Sequence, residues 1–582
     1  MNPHDFNTPP APERRHYWQA RLWQVPAWLM ALLVLMPISV IILSWGSAQT
    51  DVWQHLIETQ LSRLLKNTLI LIFGVGAWTL VLGVGLAWLV AVCEFPGRRW
   101  LDWALMLPLA VPTYVVAFVF LAVTDYAGPI QTLWRGWFGP DTPFLPVRGP
   151  LGVVFIMTCV LYPYVYMLAR SAFIAQGRGL TDAARLLGCG PFKAFWHVAL
   201  PMARPAIAVG VSLALMETLA DFGAVAVFNY DTFTTAIYKS WFGFFNLTAA
   251  AQLASLLLLF VGLALFAEQK GRGRSRFHQT PQRDTERYVL TGWRAWLASG
   301  FCLAVFTMAF IIPTSQLILW TWQQGSEALN GRYWALVKHT FMLGGTAALA
   351  TTLLALLVAY GQRLLGRHHI NGTVRLASLG YALPGSVLAV GIMIGFAFLD
   401  REVVNRLQRL LGQPEHQVLM GTLIALVLAY TIRFFSVAFG PVHSSLERIR
   451  PSYQEAANSL GANQWRVLWR IYLPLLTPGL LTAALLVLVD TMKEMPATLL
   501  LRPFGWDTLA VRIYELTGEG RWRMAALPAL TLVLLSIAPV ILMIRQSRLP
   551  ARARAAVLTP TGDIPEQKTR ENEVLEKVPP GR

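Results

Sequence analysis

Apolar runs long enough to cross a bilayer recur along the whole chain, and a backbone in hydrocarbon can satisfy its own polar groups only as a helix or a closed barrel. Runs of roughly 18 or more mostly apolar residues, enough to span a ~30 Å core as helix, fall near 27–45, 68–92, 101–124, 150–168, 202–228, 248–267, 295–320, 339–360, 376–398, 417–440, 475–500 and 524–544. Each is too long for a barrel strand. The chain therefore reads as an all-α polytopic membrane protein with about twelve transmembrane helices. At 55% hydrophobic and only 14% charged residues it falls outside the soluble globular class, and its 22 tryptophans suit interfacial belts.

A formal net charge of +17 raises nucleic acid as a partner, but the positions of the cations argue for a lipid bilayer instead. With the N-terminus in the cytoplasm, Lys and Arg concentrate on the cytoplasmic segments, richest from Lys270 to Arg294 and from Arg545 to Arg582. Such stretches meet anionic headgroups, so no nucleic-acid role is expected. Cys93, Cys159, Cys189 and Cys302 form no pair at metal-ligand or redox spacing.

One stretch occurs twice. DAARLLGCGPFKAFWHVALP, Asp182 to Pro201, and EAANSLGANQWRVLWRIYLP, Glu455 to Pro474, align at an offset of 273 residues. Small Ala183 and Ala184, like Ala456 and Ala457, let another surface approach closely, and Gly188 and Gly461 permit a turn between two short helices. Pro201 and Pro474 suit the first position of the helix that follows. A single copy also admits reading as an amphipathic helix on the membrane surface, anchored by Trp196 or Trp469. The repetition ahead of an apolar span favours a docking element.

The repetition extends further. Pro112 matches Pro384, and Asn67 to Leu69 match His339 to Phe341, at an offset of 272. Six spans return the chain to its starting side, so the halves are parallel repeats about an axis along the membrane normal, with a central path between them. The expected division is a cytoplasmic tail 1–26, a first half 27–267, a cytoplasmic linker 268–294, a second half 295–544 and a disordered cytoplasmic tail 545–582.

Ionisable residues inside spans are functional candidates by default. Glu217 and Asp221, and at the 273 offset Asp490 and Glu494, are spaced i, i+4 on one helix face. Counted from Pro201 and Pro474 they lie toward the outer mouth, where Gly223 and Pro496 are expected to break the helices. Three roles fit these acids: pairing with Lys493 and Arg433 or capping the broken helices, binding a small highly charged cation, and lending the path a negative potential. Tyr162, Tyr164 and Tyr166 read as packing residues. No G-x-x-x-x-G-K-[ST] phosphate loop and no Gly-Lys pair occurs, so transport energy comes from a partner or an ion gradient.

The duplicated stretch resembles the EAA signature of bacterial ATP-binding-cassette importer permeases, with Asp182 standing where that family usually has glutamate. Glu217 to Phe242 and Asp490 to Tyr514 resemble the corresponding stretches of ferric-iron importer permeases with two fused halves. The resemblance implies two six-helix type I permease halves in a bacterial inner membrane, with no catalysis on this chain. It implies two copies of a cytoplasmic ATPase that bind ATP and Mg and dock on Asp182, Ala183, Ala184 and Gly188 and on Glu455, Ala456, Ala457 and Gly461. A periplasmic binding protein would deliver the cargo, taken as ferric iron, past Glu217, Asp221, Asp490 and Glu494. The alternatives are the same machine carrying thiamine or another small solute, and a gradient-driven secondary transporter using the acids as ion sites.

Overall fold

The computed structural model describes residues 22–47, 53–54, 56–144, 146–176, 186, 188, 190–272, 287–325, 329–365 and 367–548. Two compact units divide the chain, Met1–Val540 and Ile541–Arg582, the second described over residues 541–548, which are helical.

Among the described residues ten helices are long and apolar enough to cross a membrane. In chain order the elements that carry the spans are α1 (Val25–Leu43), α2 (Ser62–Val92), α3 (Thr113–Thr124), α4 (Pro150–Gln176), α5 (Leu200–Ala220), α6 (Leu247–Arg272), α7 (Trp293–Gln324), α8 (Gly331–Leu365), α9 (Gly385–Leu399), α10 (Leu423–Glu447), α11 (Leu473–Lys493) and α12 (Trp522–Arg548). The eleventh span is a pair, Ile370–Ala382 and Gly385–Leu410, bent by 112°. The run expected at 524–544 lies on α12, whose apolar stretch Trp522–Ile537 is shorter than the other spans. The described residues thus hold ten spans, or eleven with the bent pair, against the twelve expected, and the runs at 101–124 and 376–398 are each broken ahead of a proline.

The bend has a chemical cause that operates in both halves. Short 3-10 turns, Leu107–Ala110 and Leu379–Ala382, end where Val111 and Leu383 turn extended ahead of Pro112 and Pro384. A proline ring excludes the helical conformation from the residue before it, and proline has no N–H to offer. Neither helix can run through. The carbonyls released in this way need other donors at membrane depth.

Each half contributes its first span to the other. Ala27, Met30 and Val34 of α1 sit in one buried cluster with Tyr360, Ile370, Phe396 and Tyr430 of the second half. Conversely α7 packs on the first half: Phe306 meets Trp100 edge-on at 5.2 Å between ring centroids, Trp320 stacks on Phe118, and Ser299 Oγ donates to the Pro96 carbonyl at 2.7 Å. Sequence halves and packed halves are therefore different sets of helices.

The expected linker 268–294 begins as the last turn of α6 and ends stitched to the first half. Cys93–Glu94 and Tyr288–Val289 pair as short parallel strands, and the Leu290 amide donates to the Glu94 carbonyl at 3.0 Å. Burial in this joint pushes the Cys93 thiol up to about 11.

Candidate coupling segment and translocation path

The second copy of the duplicated stretch forms the helix Ser452–Ser459, a turn, and the short helix Gln464–Val467, which runs through a π turn, Leu468–Tyr472, into α11. Gly461 makes the turn at φ +77°, a left-handed conformation that a side chain resists. Asn463 then caps the new helix, its side-chain oxygen accepting the Arg466 amide at 2.8 Å. In the first copy Gly188 has φ +85° and a π turn occupies Phe195–Ala199, matching the second copy at the 273 offset. Asp182, Ala183, Ala184 and Cys189 lie outside the described residues.

Within the second copy the signature residues face two ways. Glu455 and Ala456 are exposed, as is Leu460, whereas Ala457 is 7% exposed and shares a buried cluster with Val467, Leu468 and Tyr472. Two tyrosines fasten the segment to the spans. Tyr472 donates to Gln454 Oε1 at 3.0 Å, and Tyr360 of α8 donates to the Gln464 carbonyl at 3.0 Å. The segment is thus tied to α8 and α11.

At the other end of α5 and α11 the helices break at Asp221 and Glu494 themselves, two residues before Gly223 and Pro496. The carboxylates explain the shift. Asp221 turns extended and its Oδ1 accepts the amides of Ala224 and Val225 at 2.9 and 3.3 Å, capping the new helix Gly223–Val227. Glu494 likewise accepts the Ala497 amide at 3.2 Å at the head of Pro496–Leu501.

The two caps differ by one methylene, and their surroundings compensate. Thr113 donates its hydroxyl to Asp221, while at the matching position after Pro384 stands Gly385. A Cβ on Gly385 would lie 2.2 Å from Glu494 Oε1. The longer acid takes the room that the threonine fills in the first half.

Cations and phenols complete the cluster. Arg433, 8% exposed, donates to the Leu383 carbonyl at 2.7 Å and places Nε 3.2 Å from Glu494 Oε2, off the hydrogen-bond direction, so this contact is ionic. Lys493 donates to the Leu109 carbonyl at 3.1 Å. Both acceptors are carbonyls of the proline-broken segments. Tyr381 donates to Glu217 Oε1 at 2.9 Å, from the second half to the first, and Tyr164 faces Tyr381, Glu217 and Asp490. Asp490 faces Lys493, Glu217 and Arg433. All four acids therefore lie where the halves meet, two of them engaged in capping. Among the described residues no group of three His, Cys, Asp or Glu is arranged to hold a metal ion.

Sequence reasoning missed Tyr381 and Thr113, and placed Tyr164 with the packing residues. Tyr162 and Tyr166 do pack, donating to the Leu105 and Asp102 carbonyls. The one available signal for Tyr381 was a departure from the repeat, since Leu109 stands at its counterpart.

Replacing Arg433 by methionine strands a buried carboxylate, and breaking a buried ion pair from one side costs about 3–5 kcal/mol. Arg433→Met is expected to lower the thermal unfolding midpoint of the purified chain, followed by tryptophan fluorescence, and Glu494→Gln in the same background is expected to recover part of the loss. An unchanged midpoint in Arg433→Met would contradict the pairing.

A duplicated core of membrane helices, closed around a charged seam and carrying a turn-helix segment tied to its spans, defines a permease subunit. The chain belongs to the family of binding-protein-dependent transport system inner membrane components, which matches residues 80–269 and 351–549, once in each half. It is a multi-pass inner-membrane subunit of an ATP-binding-cassette importer and has no catalytic activity of its own. An Fe(3+)-transport system permease protein of Haemophilus influenzae is 27% identical over 531 residues, 89% of this chain and 98% of that relative. A putative ferric transport system permease protein of the same organism is 24% identical over 495 residues, 80% and 74% of the two chains. A molybdenum transport system permease protein of Escherichia coli is 34% identical over 151 residues, covering 26% of this chain and 64% of its own.

Proposed function

We propose that this permease imports ferric iron. The observation that carries the cargo is the full-length similarity to an Fe(3+)-transport permease, 98% of whose length is matched. The seam supports it, since Glu217, Asp221, Asp490 and Glu494 outnumber Arg433 and Lys493 and give the path a negative potential suited to a cation. The sequence halves are 27–267 and 295–544, joined by the linker 268–294 and flanked by cytoplasmic tails, and the bodies that move are the packed halves, with α1 and α7 exchanged.

Two copies of a cytoplasmic ATPase, which bind the ATP and Mg, dock under the two duplicated segments, one at Asp182 to Gly188 and one at Glu455 to Gly461. A periplasmic binding protein delivers the iron at the outer mouth. ATPase closure moves both segments, the halves rock, and the seam between Glu217 and Asp490 opens.

The test is ATP-dependent uptake of radiolabelled ferric iron into vesicles holding this chain, its ATPase and its binding protein, with thiamine and molybdate as competitors. Iron uptake indifferent to both is the expected result. Uptake of thiamine or molybdate without iron would overturn the cargo.

A further inference from the structure

We propose that Lys493 is a tethered counter-cation that keeps small cations from leaking through the seam between the halves, an inference that rests on reading that seam as the cargo path. The repeat isolates this residue. Glu217 and Asp490 are counterparts, one from each half, but the counterpart of Lys493 is Ala220. The ammonium thus joins Arg433 in the field of two symmetry-related carboxylates, and of these two cations it is the one that does not pair with Glu494.

Its placement is specific. Lys493 is the last residue of α11, and its Nζ reaches across the halves to the Leu109 carbonyl at 3.1 Å, in the turn that Pro112 terminates. There it lies in the field of Asp490, one helical turn earlier on α11, and of Glu217, and forms no close ion pair with either among the described residues. The other two acids are engaged elsewhere: Asp221 with Thr113 and two backbone amides, Glu494 with Arg433 and the Ala497 amide. Glu217 and Asp490 are therefore the carboxylates that a passing cation would meet, with the Tyr381 phenol on Glu217.

Two carboxylates at a narrow low-dielectric seam attract any cation, and leakage of monovalent ions would dissipate the membrane potential. An ammonium on a four-carbon tether, held by the Leu109 carbonyl, offsets part of the carboxylates' charge without pairing with either acid. A cation carrying one charge gains little by displacing it, whereas a cargo carrying three gains enough to push it aside.

The test uses the assembled importer in liposomes without ATP and follows passive rubidium uptake. Lys493→Gln retains a hydrogen-bond donor and loses the charge; it is expected to raise the rubidium leak roughly tenfold, in line with the enrichment of counter-ions by a cleft of one sign. Lys493→Arg is expected to stay tight, and Asp490→Asn added to Lys493→Gln is expected to restore tightness. A tight Lys493→Gln overturns the proposal, and so does an Asp490→Asn, Lys493→Gln pair that leaks like the single variant, because that marks a hole and not a charge effect. Lys493→Met serves if the glutamine variant does not assemble, with the same outcomes. Rubidium is read without iron, so wild-type vesicles that import no iron count against the cargo alone.

Discussion

Arginine at Ala456, with its counterpart Ala183 changed likewise, is expected to strip the ATPase from the permease and abolish ATP-driven uptake while leaving the membrane subunit folded. Ala456 is exposed beside Glu455 and Leu460 on the face of Ser452–Ser459 turned away from the spans. A long cation there holds off a surface that must approach to the backbone, and interface energy is concentrated in a few such central positions. Copurified ATPase should fall by at least about tenfold, the effect of removing roughly 1.4 kcal/mol of binding free energy.

The neighbouring alanine should fail differently. Ala457 is buried with Val467, Leu468 and Tyr472, so Ala457→Arg forces a charge into the packing that joins the segment to α11 and is expected to reduce the folded yield itself. Copurification and size-exclusion profiles separate the two outcomes. ATPase retained at wild-type levels by the Ala456 and Ala183 pair would contradict docking on this face.

Span positions and the internal repeat were legible in the sequence because both are one-dimensional properties, an apolar length and a constant offset. The pairing of Pro112 with Pro384 was legible, but the 112° bend was not, since it depends on Leu383 becoming extended and on Arg433 arriving from α10 to take the released carbonyl. The exchange of α1 and α7 between the halves was hidden for a related reason. A helix that is apolar on all sides suits either partner, and nothing in its pattern selects one.

Among the candidate acids, capping was one of three roles open to Asp221 and Glu494, and only the fold shows their oxygens meeting the amides of the next helix. The alternation of Thr113 with Gly385 around them makes sense only once the two halves are superposed by their offset. Tyr381 stayed hidden because a tyrosine in an apolar span looks like packing until Glu217 is seen to accept its hydroxyl.

The halves touch at the end of α5 and α11 remote from the duplicated segments. Phe222 packs between Tyr238 of its own half and Tyr514 of the other, at 5.2 and 5.4 Å between ring centroids. On the proposed rocking of the halves, this aromatic contact parts in each cycle.

Holding it shut is the most direct test. With Cys93, Cys159, Cys189 and Cys302 replaced by serine, Tyr238→Cys and Tyr514→Cys put thiols in place of two rings whose centroids are 6.5 Å apart, for bridging by a short cleavable bis-thiosulfonate. The unbridged variant should import ferric iron in the presence of ATP, the bridged one should not, and reduction should restore uptake. Undiminished uptake by fully bridged protein would contradict a path that opens between the two halves.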